Sequence, residues 1–121
     1  HMTAPLVSII LPVYNGGAYL ETALQSLLAQ DYRNIEILAI DDGSRDNSLA
    51  CLQRAAAQDA RVLVRSRENR GLVATLNEGL ALARGDLIAR MDADDIAYPT
   101  RIGRQVQAFL EEPDLAMCGT A

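Results

Sequence analysis

The sequence predicts an α/β fold with a mostly parallel sheet of four to five strands flanked by helices. Short apolar runs rich in β-branched residues alternate with longer segments in which apolar residues recur every three or four positions. Strands that alternate with helices along a chain favour parallel pairing through right-handed crossovers. The length of 121 residues suits one small domain, and no linker or internal repeat divides it.

Two strands and one helix are predicted in the first third of the chain. Leu6–Val13 and Ile35–Ile40 are short, continuous apolar runs, which are typical of strands buried on both faces. Between them, a helix is predicted over about residues 17–30, because apolar side chains recur there at helical spacing. These side chains are Leu20, Leu24, Leu27 and Leu28.

The middle of the chain continues the alternation. A second helix is expected over about residues 46–58, with Ser44 or Asp46 capping its start. Arg61–Val64 is a weaker third strand. Gly85 is placed to follow the end of a third helix. The predicted inner face of the second helix holds Leu49, Leu52 and Ala56, and the third helix is marked by Leu72, Leu76 and Leu80.

The last third of the chain completes a Rossmann-like pattern. Leu87–Met91 is the predicted fourth strand, and Pro99 suits the first turn of a fourth helix. Leu115–Cys118 predicts a fifth strand. His1-Met2 is interpreted as a cloning scar, so residues 3–121 form the domain. The fourth helix is expected to bury Ile102, Val106, Phe109 and Leu110 and to end at Glu111, Glu112 and Pro113.

Composition and charge argue against several classes of protein. The net charge of −5 argues against a nucleic-acid partner. Cys51 and Cys118 lack metal-binding or redox spacing, so we expect small buried residues in a reducing compartment. No apolar run approaches the roughly 20 residues of a membrane span. A cytoplasmic location is therefore expected, with membrane association of the parent protein left open.

Polar loops follow all four of the first predicted strands. Ligands of open parallel sheets bind beyond the carboxyl ends of the strands, and these ends share one edge. Four polar loops in succession therefore predict a binding site at that edge. The loops are Pro12–Gly17, Asp41–Ser44, Glu68–Gly71 and Asp92–Asp95.

The acidic loop is the sharpest feature of this predicted edge. Asp92, Asp94 and Asp95 repel one another unless a cation neutralises them, and a hard divalent cation prefers such oxygen ligands. Asp92 and Asp94 can project to one side if the segment stays extended. The alternative is a solvated acidic turn that caps the next helix. The position directly after a buried strand favours the metal site.

The other loops each allow two interpretations. Asp41–Ser44 is either a turn with a helix cap or a carboxylate that accepts a hydrogen bond from a base. Tyr14 is either a core aromatic or a ring that lies against a base. Asn15-Gly16-Gly17 presents backbone N–H groups at a helix start, where an anion binds well. Arg70 is either a surface residue or a contact to a phosphate or to the acidic loop.

Together these loops resemble the inverting glycosyltransferases of family two, which have the A-type fold. The resemblance covers the chain from about Val7 to Gln105 and rests on the order, spacing and identity of the motifs. It implies a truncated A-type fold in which residues 3–121 are the N-terminal, nucleotide-sugar-binding portion. The matching stretches are VSIILPVYNGGAYLETALQSLLAQ, IEILAIDDGS, ENRGLVATLNEGLALARGDLIARMDADD and YPTRIGRQ.

The resemblance also implies roles for individual residues. Asp42 would contact the base, usually uracil, with Asp41 supporting it. Asp94 would coordinate Mg or Mn bridging the diphosphate, and Asp92 and Asp95 would complete the acidic cluster. Asp92 would also lie near the ribose. The other residues expected to contact the nucleotide are Pro12, Tyr14, Asn15 and Arg70.

By resemblance, the parent protein transfers a sugar from a nucleotide diphosphate sugar, usually a UDP-sugar, to an acceptor hydroxyl with inversion. By the same resemblance, the parent protein would act in cell-surface polysaccharide or glycoconjugate synthesis. The general base is expected beyond Ala121, so no carboxylate here is assigned to it. We therefore expect nucleotide binding without sugar transfer, and self-association through surface that the acceptor-binding half would cover.

Three alternative functions compete with this interpretation. A dinucleotide-binding oxidoreductase would need a G-x-G-x-x-G turn after the first strand, where this chain has Asn15-Gly16-Gly17. A nucleotidyltransferase would be expected to carry a lysine-rich phosphate loop, and this chain has no lysine. The remaining alternative is a non-catalytic nucleotide-binding or assembly module.

Overall fold

Strands and helices alternate along the chain in a computed structural model, which describes residues 4–111. A short 3-10 turn, Gly17–Tyr19, leads into the first helix. The predicted fifth strand and the residues beyond Glu111 lie outside the described part. The elements are β1 (Val7–Val13), α1 (Leu20–Leu28), β2 (Ile35–Asp42), α2 (Ser48–Gln58), β3 (Val62–Arg67), α3 (Leu72–Leu82), β4 (Leu87–Arg90) and α4 (Arg101–Glu111).

The strands form one parallel sheet in the order β3-β2-β1-β4. This confirms the predicted parallel architecture. Because all described strands run the same way, their carboxyl ends meet at one edge. The register places Asp41 beside Val13 of β1 and Asp42 beside Arg67 of β3. The polar loops therefore converge as the sequence predicts.

Helices cover both faces of the sheet, which explains why β1 and β2 are almost continuously buried. The odd-numbered residues of these strands join α1, α2 and α4 in the main core. On the opposite face, α3 packs close to Ile10: a Cβ on Gly79 would lie 2.6 Å from Ile10 Cγ2. Glycine is therefore required where α3 approaches the sheet.

The third helix forms where predicted, but Leu72 and Leu80 are half exposed. The small residues Thr75 and Gly79 face the sheet instead, because only they allow this close approach. The predicted role of Gly85 is wrong. The helix ends at Leu82 with extended backbone at the next residue, so no glycine follows it in the left-handed region. Gly85 lies against Ser8 instead, donating its N–H to Ser8 Oγ at 2.8 Å.

Two strands are longer than the sequence predicts. β2 continues through Asp42 and β3 through Arg67, because the two segments pair residue by residue to their ends. Neither predicted candidate is the N-cap of α2, which is Asn47 and makes no side-chain cap hydrogen bond. Asp46 lies one residue earlier, where its Oδ1 accepts a hydrogen bond from Ser48 N–H at 3.0 Å. Ser44 does not cap the helix, since its Oγ accepts a hydrogen bond from Asn15 N–H at 2.9 Å.

The predicted inner faces of α2 and α4 need small corrections. In α2 the fully buried residues are Ser48, Leu52 and Ala55, whereas Leu49 and Ala56 are partly exposed. In α4, Ile102 and Val106 are buried and Phe109 packs against the core, but Leu110 is exposed. Pro99 lies just before the helix, which begins at Arg101. No helix within residues 4–111 is long and apolar enough to cross a membrane.

Candidate functional site

An open cleft of about 520 Å³ lies between the carboxyl ends of the strands and the start of α3. It contains five of the residues predicted to form the site, and the structure adds several that the sequence did not single out. Its walls are Pro12, Val13, Tyr14, Asp42, Asn69, Gly71, Leu72, Thr75, Arg90, Asp92 and Asp94.

Asp42 lies buried at the base of the cleft and is held by donors from the chain itself. Its carboxylate accepts hydrogen bonds from the Arg67 guanidinium, Asn69 Nδ2, and the backbone N–H groups of Arg70 (2.8 Å) and Gly71 (3.0 Å). Burial alone would raise the pKa of Asp42, but these bonds hold it below the ordinary value for an aspartate. A base N–H could bond to the Asp42 carboxylate only by displacing one of these donors or by sharing a carboxylate oxygen with it. The predicted base contact stays a prediction.

Asp41 points to the opposite face of the sheet, because successive residues of a strand alternate in direction. It is buried and accepts hydrogen bonds from Ser44 N–H (3.2 Å) and Ser66 Oγ (3.1 Å). Asp41 therefore orders the turn after β2 and does not line the cleft. Its predicted role in supporting a base contact by Asp42 stays a prediction.

Asn15 joins the loop after β1 to the loop after β2. Its backbone is in the left-handed region at φ 50, and its Oδ1 accepts a hydrogen bond from Arg45 N–H at 2.8 Å. Gly43, in the loop after β2, packs against the loop after β3, since its φ is +75 and a Cβ there would lie 2.6 Å from Asn69 N. Only glycine fits this conformation and this space. Asn15 is exposed beside the cleft without lining it.

Tyr14 and Arg70 differ in how they meet the cleft. The ring of Tyr14 is about half exposed at the cleft wall, so it is free of the core packing that the alternative interpretation required. The side chain of Arg70 is exposed and lies 3.9 Å from Glu68. Its backbone N–H, not its guanidinium, contacts the site in this structure.

The acidic cluster lies at one end of the cleft. Asp92, Asp94 and Asp95 each offer a carboxylate oxygen, and these oxygens lie within 4.8 Å of one another. The segment is not extended as expected: Asp95 N–H donates to Asp92 O at 3.1 Å, which closes a turn. The turn brings the three carboxylates together, so convergence is achieved by a different backbone geometry.

Two arginines that the sequence interpretation missed complete the site. Arg67 lies beneath the cleft, where it contacts Asp42, Thr75 and Glu78. Arg90 lines the cleft and donates to Asp92 Oδ1 from Nη2 at 3.0 Å. Both are the last residues of their strands. The sequence signal that could have identified them is a cationic residue near the carboxyl end of a strand.

Residues 8–121 match the domain described as Glycosyl transferase family 2. The chain belongs to this family. Glycosyltransferase GlyG of Streptococcus pneumoniae is 40% identical over 108 residues, which cover 88% of this chain and 36% of that protein. The chain spans about a third of the length of the curated relatives it matches first.

Two solved structures resemble this family 2 chain in fold. One is the mannosyltransferase PcManGT from Pyrobaculum calidifontis in complex with GDP-Man and Mn2+, with a TM-score of 0.78 and 26% identity over 88% of this chain and 33% of that one. The other is S. aureus TarS 1–349 in complex with UDP-GlcNAc, with a TM-score of 0.78 and 27% identity over 88% of this chain and 31% of that one. The predicted A-type fold is confirmed.

Proposed function

We propose that this chain is the donor-binding part of a metal-dependent glycosyltransferase, and that a UDP-sugar is the donor. The observation that carries the proposal is the acidic cluster of Asp92, Asp94 and Asp95 at the end of a cleft in a family 2 fold. The cleft is the size of a small-molecule site. It also lies where open parallel sheets bind their ligands.

The donor set of the cluster fits a hard divalent cation such as Mg or Mn. All three ligands are carboxylates, and their oxygens are close enough for one ion to reach them together. Asp92 and Asp94 would hold the cation, with Asp95 assisting. When bound, the cation would act as a Lewis acid that neutralises the departing nucleoside diphosphate.

The remaining cleft residues suit a nucleotide. The exposed ring of Tyr14 offers a surface on which a base can stack, and Pro12 forms the adjacent wall. The neighbours PcManGT and TarS are described with GDP-Man and UDP-GlcNAc, which supports a nucleotide sugar as the partner. Among these nucleotides, UDP is our proposal for this chain.

Transfer with inversion requires a general base that takes the proton of the acceptor hydroxyl. Within residues 4–111, none of the cleft carboxylates is assigned to this base, because each has another role. Asp42 accepts four hydrogen bonds, and the acidic cluster would bind the cation. We therefore propose that the 121-residue chain binds the donor without transferring its sugar. A role in cell-surface polysaccharide or glycoconjugate synthesis belongs to the same proposal.

Titration calorimetry with UDP, GDP and dTDP, each with and without Mn2+, tests the proposal. We expect UDP to bind in the presence of Mn2+ and to bind much more weakly without it. Tighter binding of GDP or dTDP would overturn the choice of UDP. Failure of all three to bind at millimolar concentration would favour the alternative, an assembly module without nucleotide binding.

Two sequence expectations stay predictions beside this proposal: the cytoplasmic location and self-association. Exposed apolar side chains on the outer side of α3, such as Val73 and Leu80, give self-association a physical basis. Light scattering over a range of concentrations measures it directly. A monodisperse monomer at high concentration would contradict it.

A further inference from the structure

We propose that Arg90 is a diphosphate-binding residue that Asp92 holds in place until the ligand arrives. This inference rests on the proposed function and adds a second positive charge to the cation expected at the acidic cluster. In the structure, Nε and Nη2 of Arg90 both donate to one oxygen of Asp92, Oδ1, at 3.3 and 3.0 Å. The guanidinium is thus directed along the cleft toward the acidic cluster.

The backbone explains why Arg90 faces the cleft. Successive residues of a strand point to opposite sides, and Ala89 and Met91, the two neighbours of Arg90, are both buried in the main core on the opposite face. Arg90 therefore projects toward the α3 side of the sheet, where the cleft lies. It pairs with Ile10 of β1, so its backbone position is fixed by the sheet.

The balance of charge in the cleft gives Arg90 a reason to contact a diphosphate. The lining residues include the carboxylates of Asp42, Asp92 and Asp94, and Arg90 is the one cationic side chain among the lining residues of the described chain. A divalent cation offsets the acidic cluster but leaves little positive charge for a diphosphate. The planar guanidinium fork of arginine matches phosphate oxygens in pairs.

The Arg90–Asp92 contact is one that a ligand can replace. The side chains are about 31% and 53% exposed, and an ion pair with this much solvent contributes little to stability. A cation that binds Asp92 would weaken the hold of that carboxylate on Arg90. The released guanidinium would then lie beside the place where the cation carries the diphosphate.

The test compares Arg90→Met with wild type in two calorimetric titrations: Mn2+ alone, and UDP in saturating Mn2+. We expect Arg90→Met to bind UDP roughly tenfold more weakly or worse, because a charge-assisted contact is lost. We expect it to bind Mn2+ alone as tightly as wild type or more tightly, because a competing cation has been removed from Asp92. Arg54→Met, an exposed change on α2, is the matched control.

The two titrations together separate ligand binding by Arg90 from simple support of Asp92. If Arg90 only positioned Asp92, the variant would bind Mn2+ alone and UDP more weakly in parallel, and the proposal would fail. Unchanged UDP binding would also overturn it. Arg90→Lys keeps the charge but loses the fork, so we expect intermediate UDP affinity, and this variant replaces Arg90→Met if that one does not fold. If wild type binds no nucleotide with Mn2+, the proposed function fails first.

Discussion

The guanidinium of Arg67 donates a hydrogen bond to the buried carboxylate of Asp42, its direct partner across the β2–β3 pair. The same guanidinium donates to Thr75 Oγ1 at 3.0 Å and to Glu78 Oε1 at 2.8 Å, both on α3. Asp42 in turn accepts the backbone N–H of Gly71, the residue before α3. One ion pair therefore joins two strand ends and a helix start beneath the cleft.

Replacing Arg67 tests the importance of this junction. Arg67→Met removes the cationic partner of Asp42 and leaves a buried carboxylate with neutral donors alone, namely Asn69 Nδ2 and two backbone N–H groups. We expect the free energy of unfolding to fall by about 3 kcal/mol, measured by urea denaturation. Arg65→Met on the same strand is the control, because Arg65 is exposed and should change stability by no more than about 0.5 kcal/mol. Equal stability of the two variants would contradict the role of the junction.

The stability of the protein should depend on pH through Asp42. Its pKa is lowered in the folded state, so its contribution is full above the unfolded value of about 4 and is lost as the pH falls through the folded value. We expect the melting temperature to drop in acid below about pH 4. Glu36 and Asp59 also have lowered pKa values and add to this drop.

The variant Asp42→Asn isolates the contribution of Asp42. It should be less stable than wild type at neutral pH, because a charged acceptor of four hydrogen bonds is lost. Its melting temperature should then fall less steeply in acid. Parallel curves for the two proteins between pH 3 and pH 7 would show that Asp42 does not carry this dependence.

The acidic cluster should matter for metal binding and not for folding. Asp94 is exposed and close to Asp92 and Asp95, so Asp94→Asn removes like-charge repulsion while it removes a metal ligand. We expect Mn2+ affinity to fall at least about tenfold, with melting temperature unchanged or slightly higher. Glu21→Gln, an exposed change on α1, should leave both quantities unaltered. Equal Mn2+ binding by Asp94→Asn would reject the metal site.

The sequence predicted the order and type of the described elements because apolar periodicity is a local signal. It did not predict the ends of β2 and β3, where Asp42 and Arg67 are ordinary turn or surface residues when read alone. Their inclusion in the strands depends on pairing with each other across the sheet. The buried face of α3 was hidden for a similar reason, since Gly79 faces the sheet only because α3 packs against Ile10.

The candidate site was predicted better at its acidic end than at its base. Asp92 and Asp94 follow shortly after β4 and form a recognisable motif, so their convergence could be predicted without distant contacts, although a turn and not the expected extended backbone produces it. Arg67 and Arg90 gained their roles from the register of the sheet and from the start of α3. A carboxylate with four intramolecular donors, such as Asp42, likewise becomes visible only when the loop before α3 has folded over it.

The loop between the acidic cluster and α4 is held against the segment that follows α1 by the buried side chain of Gln30. Gln30 donates from Nε2 to Tyr98 O at 2.7 Å and accepts from Ile102 N–H at 3.0 Å. Gln30→Leu would leave the Tyr98 carbonyl and the buried Ile102 N–H without these partners, so we expect the free energy of unfolding to fall by about 1–3 kcal/mol. The same loss should loosen the loop and weaken Mn2+-dependent nucleotide binding.

Hydrogen exchange locates this effect within the loop. The Ile102 amide should exchange faster in Gln30→Leu than in wild type, whereas the Ala97 amide, which donates to Ser26 Oγ at 3.0 Å, should keep more of its protection. Ser26→Ala should give the reverse pattern, with faster exchange at Ala97. If both variants accelerated both amides equally, the loop would open as a unit, and Gln30 would have no local fastening role.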